Sequence, residues 1–303
     1  MRTNTKGRYQ NTMQQLTYIN LRGERLTFGR GGPCLLRSVR GLGACDNALT
    51  LTDGGVRDGG RLLALRREER EITASIQLLG TSRRDLYESR LTLCRLLSPD
   101  LAVDGESRAR LVYENDRGSW WTWAVPEGGV DWGARAGDVH TGVSVRFRCE
   151  SPFFYGSEAR EAVFRQTRAG FRLPVRLPLS LGGQAFHMRV TNAGSAFAPC
   201  VITVEGSGET PALVNHSTGA ALTMVSPLPY GERLTVSTDP SALAVSLTRA
   251  DGGEENAFGY LDPLSSVAAF GLRPGENDIE YVPGGDRSRS VIRIRWYDTF
   301  EGV

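Results

Sequence analysis

The sequence predicts a mainly β protein of two domains: an N-terminal β-sandwich or split barrel carrying one α-helix, and a C-terminal antiparallel jelly-roll β-sandwich. Three observations predict it. Short segments in which apolar and polar residues alternate, the mark of a strand with one buried face, recur along the 303 residues. One stretch, 83–97, carries a convincing helical stripe instead. And Ser151-Pro152 stops the alternating segment Val143 to Glu150, because proline has no ladder N–H and restricts its predecessor. The helix and the long polar loops lie before that stop, and after it the chain is almost pure short-strand pattern. The expected divisions are 1–155, a connector at 156–184, and 185–303.

The totals narrow the class. Forty per cent hydrophobic and 23% charged residues are ordinary globular values, and the length suffices for two buried cores. A net charge of +2 is too small for nucleic acid or an anionic membrane to be the main partner. Lys6 is the single lysine; the other basic side chains are arginines, which suit bidentate pairing at protein interfaces. Cys34, Cys45, Cys94, Cys149 and Cys200 are widely spaced with no C-x-x-C, so neither a zinc site nor a disulfide framework is signalled. Their odd number and apolar settings predict buried free thiols. Met1 to Gln15 lacks the apolar core of a secretory signal, and no run reaches transmembrane length. The expectation is a chain made and folded in a cytoplasm.

Taken in order, Tyr18 to Leu21 and Arg25 to Phe28 flank Arg22-Gly23-Glu24, a hairpin connection. Gly29 to Pro33 breaks the chain before a strand at Cys34 to Arg40; no phosphate-loop spacing is present there. Leu49-Thr50-Leu51 leads into the polar loop Thr52 to Gly60, whose Asp53 and Asp58 lack calcium-loop spacing and a closing glutamate, so the loop reads as a mobile arm or contact surface. Arg66 to Glu71 reads as a solvated charge run, and Ile72 to Leu78 as a strand ended by Gly80. In the helix Arg83 to Leu97, Ser82 is the N-cap, Asp85 meets the helix dipole and Ser98-Pro99 ends it. Leu86, Leu93, Cys94, Leu96 and Leu97 form its apolar stripe. A hairpin comes next, Arg110 to Glu114 and Ser119 to Pro126, with Trp120, Trp121 and Trp123 on the returning strand and Trp132 beyond it. Alternation predicts Trp121 and Trp123 in the core and Trp120 at an interface, while a sugar platform on Trp120 and Trp132 is the competing reading.

Arg160 to Gln184, with Pro174 and Pro178, reads as an extended connector. Nine short strands are then expected: Phe186 to Thr191, Cys200 to Glu205, Ala212 to Asn215, Ala221 to Met224, Leu234 to Ser237, Leu243 to Leu247, Phe258 to Leu261, Ile279 to Val282 and Ser290 to Tyr297. Turn residues separate them, as at Asn192-Ala193-Gly194 and Ser217-Thr218-Gly219. No catalytic constellation emerges. His140, His187 and His216 stand apart in sequence without ligand spacing, and no G-x-S-x-G is present. No catalytic, cofactor or metal residue is therefore assigned, and a structural or binding role is expected rather than an enzyme.

The order of these signals resembles the distal tail protein (Dit) family of long-tailed bacteriophages. The residues that carry the resemblance are the opening hairpin Tyr18 to Phe28, the Asp-Gly loop at Asp53 to Gly60, the strand into Gly80, and the helix closing in Leu96-Leu97-Ser98-Pro99. The most characteristic piece is Val143 to Cys149 running into Ser151-Pro152-Phe153-Phe154-Tyr155. In the second half Asn192-Ala193-Gly194, Ala198-Pro199, Asn215 to Gly219, Gly231-Glu232, Leu272 to Asn277 and Trp296-Tyr297 are similar to the family's C-terminal domain. The resemblance implies a hexameric ring built by the N-terminal domain at the virion tail end, with a galectin-like C-terminal domain. Its implied partners are the tail tube protein, a tail-tip hub protein and a receptor-binding protein, with no nucleic acid, membrane or cofactor. Against this hub stand a carbohydrate-binding protein contacting host-surface glycans through Trp120 and Trp132, and a hydrolase with an accessory β-sandwich, for which no residue can be nominated.

Overall fold

A computed structural model describes residues 14–30, 32–53, 55, 58–98, 109–132, 140–165, 186–206, 210–282 and 291–303. The chain divides into two compact units, Met1–Ser157 together with Phe300–Val303, and Glu158–Thr299.

The first unit contains β1 (Gln15–Ile19), β2 (Arg25–Phe28), β3 (Cys34–Arg40), β4 (Asn47–Asp53), β5 (Gly60–Arg67), β6 (Arg70–Leu79), α1 (Arg83–Leu97), β7 (Arg110–Asn115), β8 (Gly118–Glu127), β9 (His140–Cys149) and the start of β10 (Phe154–Arg165). β8 is the seam of this unit. Its first half pairs antiparallel with β7, which pairs with β1, which pairs with β2. From Ala124 onward it pairs with β9, which pairs with β6 and so with β3. One strand thereby serves two sheets, and Leu16, Tyr18, Phe28, Ile72, Ile76, Val145 and Phe147 from both fill the core between them. Helix α1 adds Leu86, Leu93, Leu96 and Leu97 to that core; Ser82 Oγ caps it by accepting from Asp85 N at 3.2 Å. Cys94, expected in the apolar stripe, is exposed, because its position on the helix falls outside the arc occupied by those four leucines.

The first turn is set by one side chain. Asn20 Oδ1 accepts from the backbone N–H groups of Arg22 and Glu24 at 3.0 and 2.9 Å, and its amide donates to Glu24 Oε2 at 2.9 Å. Gly41 is required by its surroundings: its φ is +86° and a Cβ there would meet Glu71 O at 1.9 Å.

Sheet resumes at once beyond the Pro152 break: β10 begins at Phe154, with Tyr155 and Gly156 opposite Trp121 and Trp120 of β8. The free edge of β8 recruits the segment immediately after the Pro152 break. The strand runs to Arg165, into the stretch read as a connector; residues 166–184 lie outside the described residues.

The second unit continues β10 and holds β11 (Phe186–Asn192), β12 (Ala198–Glu205), β13 (Ala212–Asn215), β14 (Ala220–Thr223), β15 (Arg233–Ser237), β16 (Ala244–Thr248), β17 (Glu254–Asn256), β18 (Gly271–Leu272), β19 (Gly275–Val282) and β20 (Val291–Phe300). Its strands pair antiparallel: β17-β16-β15-β12-β20 in one sheet, with β18 beside β12, and β11-β19-β13-β14 in the other. Ile202, Val236, Leu247 and Ile294 from the first sheet meet Val190, Leu213, Ile279 and Tyr281 from the second, the core of a β-sandwich. Phe258 to Leu261, expected as a strand, is a 3-10 turn over Phe258–Tyr260. The partner of β16 is instead the earlier Glu254–Asn256, brought back by the turn at Asp251-Gly252.

Three asparagines with no exposed surface fix the loops of this unit. Asn192 donates to Ala196 O and Leu272 O, Asn215 to Gly271 O, and Asn277 to Arg273 O and Gly275 O. Each side chain satisfies loop carbonyls that would otherwise be buried without donors. Gly194 is dictated by the same crowding, since a Cβ there would lie 2.0 Å from Thr299 O.

Candidate interaction surfaces

The loop read as a mobile arm or contact surface joins β4 to β5, and these two strands are buried little anywhere along their length. β4 and β5 pair with each other in register from Asn47 opposite Arg67 to Asp53 opposite Gly60, with an irregularity between Thr50 and Leu51. Every residue of β5 is exposed. Leu49, Leu51, Leu62, Leu63 and Leu65 are 51–62% exposed. Leu49 stands opposite Leu65 and Leu51 opposite Leu62, so the leucines are paired across the ribbon. The base of the ribbon is anchored: Glu68 N donates to Asp46 O at 2.9 Å, Arg67 pairs with Glu301, and the Arg67 guanidinium lies 5.3 Å from the Phe153 ring centroid. An isolated two-stranded ribbon is marginal in water, and five exposed leucines on one ribbon form the kind of apolar surface that marks a protein contact. Sequence reading found the arm but not its leucines, because Leu62-Leu63-Ala64-Leu65 also fits a buried strand.

The tryptophans separate by face as alternation requires, but in the opposite sense. Trp120 stands opposite Tyr113, and Thr122 opposite Leu111, both core residues of β7. Trp120 therefore packs against the core, edge-on to Phe300 at 6.2 Å. Trp121 and Trp123 lie on the other face, 4.9 Å apart and edge-on. Arg110 sits within 4.7 Å of both rings, and Tyr155 is 4.7 Å from Trp121. Trp121 is nonetheless buried. Trp132 is partly buried against the first core, with Arg90 5.3 Å from its ring.

The cysteines are all free thiols. Burial pushes Cys34 up to about 11 and Cys149 and Cys200 up to about 12, which makes them poor nucleophiles at neutral pH. Cys45, half-buried, is also raised by burial and donates to Pro152 O.

Two of the three histidines, separate in sequence, meet in space. His187 on β11 is directly opposite Glu280 on β19, and His216 comes just after β13 on the other side of the same strand. Their rings stack at 5.5 Å with 19° between planes. His216 Nε2 is 2.5 Å from Glu280 Oε2, and His187 Nδ1 is 3.1 Å from Asp278 Oδ1. The signal for this cluster lay in strand register, which sequence spacing does not express.

This chain, a two-sheet unit with one helix joined to a β-sandwich, is similar in fold to solved proteins of bacteriophage tail hubs and baseplates. The Dit (gp 19.1) protein of SPP1, described as a paradigm of the hub adsorption apparatus in phages infecting Gram-positive bacteria, is similar with a TM-score of 0.62 and 16% identity. The match covers 95% of this chain and 99% of that one. A chain of the phage P2 baseplate in its activated conformation with Ca is similar with a TM-score of 0.50 and 12% identity over 94% of this chain and 97% of that one. The same baseplate with Sr gives 0.50 and 13%, over 93% and 97%. No protein-family model and no curated protein matches the sequence.

Proposed function

We propose that this chain is a structural hub of a bacteriophage tail tip or baseplate. Six copies close a ring that joins the tail tube to the tail-tip and receptor-binding apparatus of the virion. The observation that supports it is the β4–β5 ribbon. A ring needs a head-to-tail interface, in which each copy offers one surface and receives another. An anchored ribbon with five exposed leucines suits the offering side: it reaches beyond its own core and gains burial only on a neighbour. The partners are the tail tube protein, a tail-tip hub protein and a receptor-binding protein; the role needs neither turnover nor a cofactor.

The test is the solution mass of the full chain by light scattering, with negative-stain images of the same fraction. Six copies of 33.1 kDa make a particle of about 200 kDa. A particle of that mass with six-fold views is expected; a chain that stays at monomer mass, alone and on purified tail tubes, overturns the reading. The competing reading, glycan contact through Trp120 and Trp132, predicts binding on a glycan array that Trp120→Ala or Trp132→Ala removes.

A further inference from the structure

We infer that His187, His216 and Glu280 form a binding site for a divalent first-row transition metal, of which Zn2+ is the natural probe. Their ligand atoms all lie within 4.8 Å of one another. Ligands on one tetrahedral zinc, at about 2.0–2.1 Å from the metal, stand roughly 3.3 Å apart, so small side-chain rotations bring the three into range. Two imidazoles with one carboxylate suit zinc, nickel or cobalt and not calcium or magnesium, which take oxygen ligands. Three protein ligands leave a fourth position, and the half-exposed rings of His187 and His216 leave it facing solvent.

The backbone preorganises this trio. Ile279 and Tyr281 point into the sandwich core, so alternation turns Asp278 and Glu280 outward on the same strand. His187 is the cross-strand partner of Glu280. His216 is held by the turn after it. Asn215, fully buried, donates to Gly271 O at 2.8 Å and accepts from Ser217 N at 2.9 Å. His216 N donates to Asp278 O, and Ser217 Oγ accepts from Asp278 N, each at 3.0 Å. Asp278 also stands against the His187 ring, and carboxylates that hold a ligating imidazole strengthen metal binding. A single exposed His–carboxylate contact contributes little by itself. Here His187 on β11, His216 just after β13 and Glu280 on β19 converge with their rings stacked, the arrangement of a chelate. The site lies wholly in the second unit and does not depend on the ring.

The test uses untagged full-length protein carrying Cys94→Ser, which removes an exposed thiol able to take zinc, stripped with chelator and titrated calorimetrically with ZnCl2. One zinc per chain with micromolar or tighter affinity is expected. His187→Ala, His216→Ala and Glu280→Gln should each weaken it by about tenfold or more. These positions lie on the outer face of the sheet, and an unchanged circular dichroism spectrum confirms that each variant is folded. Absence of stoichiometric zinc binding, affinity within twofold of the parent in His216→Ala, or calcium bound as tightly as zinc would each overturn the assignment.

Discussion

Arg70 has only 2% of its surface exposed, and among the described residues its hydrogen-bond partners are not carboxylates. It answers instead to four backbone carbonyls. Nη1 donates to Gly41 O and Gly43 O, both at 2.5 Å, while Nη2 donates to Pro152 O and Glu301 O, both at 2.6 Å; Nε adds a second bond to Pro152 O. The guanidinium plane also lies 4.4 Å from the Phe154 ring. One side chain thus ties the segment after β3, the Pro152 break and the 300–303 segment together. Burial lowers the pKa of the guanidinium, yet an arginine stays charged, so the fork keeps its donors. Arg70→Ala should strip these carbonyls of donors and destabilise the first unit by on the order of 3 kcal/mol. Arg70→Lys should recover less than half, because an ammonium cannot span the fork. Urea unfolding of both variants checks this, and a loss below about 0.5 kcal/mol for Arg70→Ala would show that water replaces the arginine at no cost. Sequence reading placed Arg70 in a solvated charge run. Its neighbours Glu68, Glu69 and Glu71 disguise it, and its acceptors lie 27 to 231 positions away in the chain.

At the scale of elements, strands and helix were legible wherever a single face decides burial. Ser82 and Asp85 marked the start of α1, and the alternation in β6 and β9 marked strands whose even or odd residues enter the core. Parity failed on β8, which carries tryptophan on both faces. Only its pairing with Leu111 and Tyr113 of β7 shows which face looks inward. The β4–β5 ribbon is the other case, since sequence pattern alone does not say whether its leucines are covered, and the structure leaves them exposed. That exposure makes its test clean. Replacing Leu62 and Leu65 together by Asp removes two cross-strand leucine pairs of the ribbon but no residue of the buried core, so the melting temperature of the unit should stay within about 2 °C of the parent. Burying two aspartates against a neighbour is costly, so the same pair should abolish the particle of about 200 kDa expected from six copies of 33.1 kDa. Loss of both fold and assembly would mean that the ribbon belongs to its own core.

At the scale of the whole molecule, both units bury thiols, and this makes alkaline stability a shared property. Cys34 and Cys149 lie in the first core and Cys200 in the second. Each is raised from the ordinary 9.0, Cys34 to about 11 and the other two to about 12, by removal from water. A raised folded-state pKa means that unfolding releases a proton above pH 9.0. The stability these thiols contribute is complete below that value and declines as pH climbs toward the folded values. By about pH 10.5 each fully buried thiol should have cost its unit about 2 kcal/mol, at roughly 1.4 kcal/mol per pH unit. Cys149→Ala and Cys200→Ala isolate the contribution of the thiols. Each should lower stability at neutral pH through the small cavity it leaves, yet flatten the loss between neutral pH and about pH 10.5 by about 2 kcal/mol in its own unit. Urea unfolding at the two pH values, followed separately for the two units, reads that difference. Parallel pH profiles for parent and variants would mean that the thiols ionise in place, and that water reaches cores which the structure shows closed.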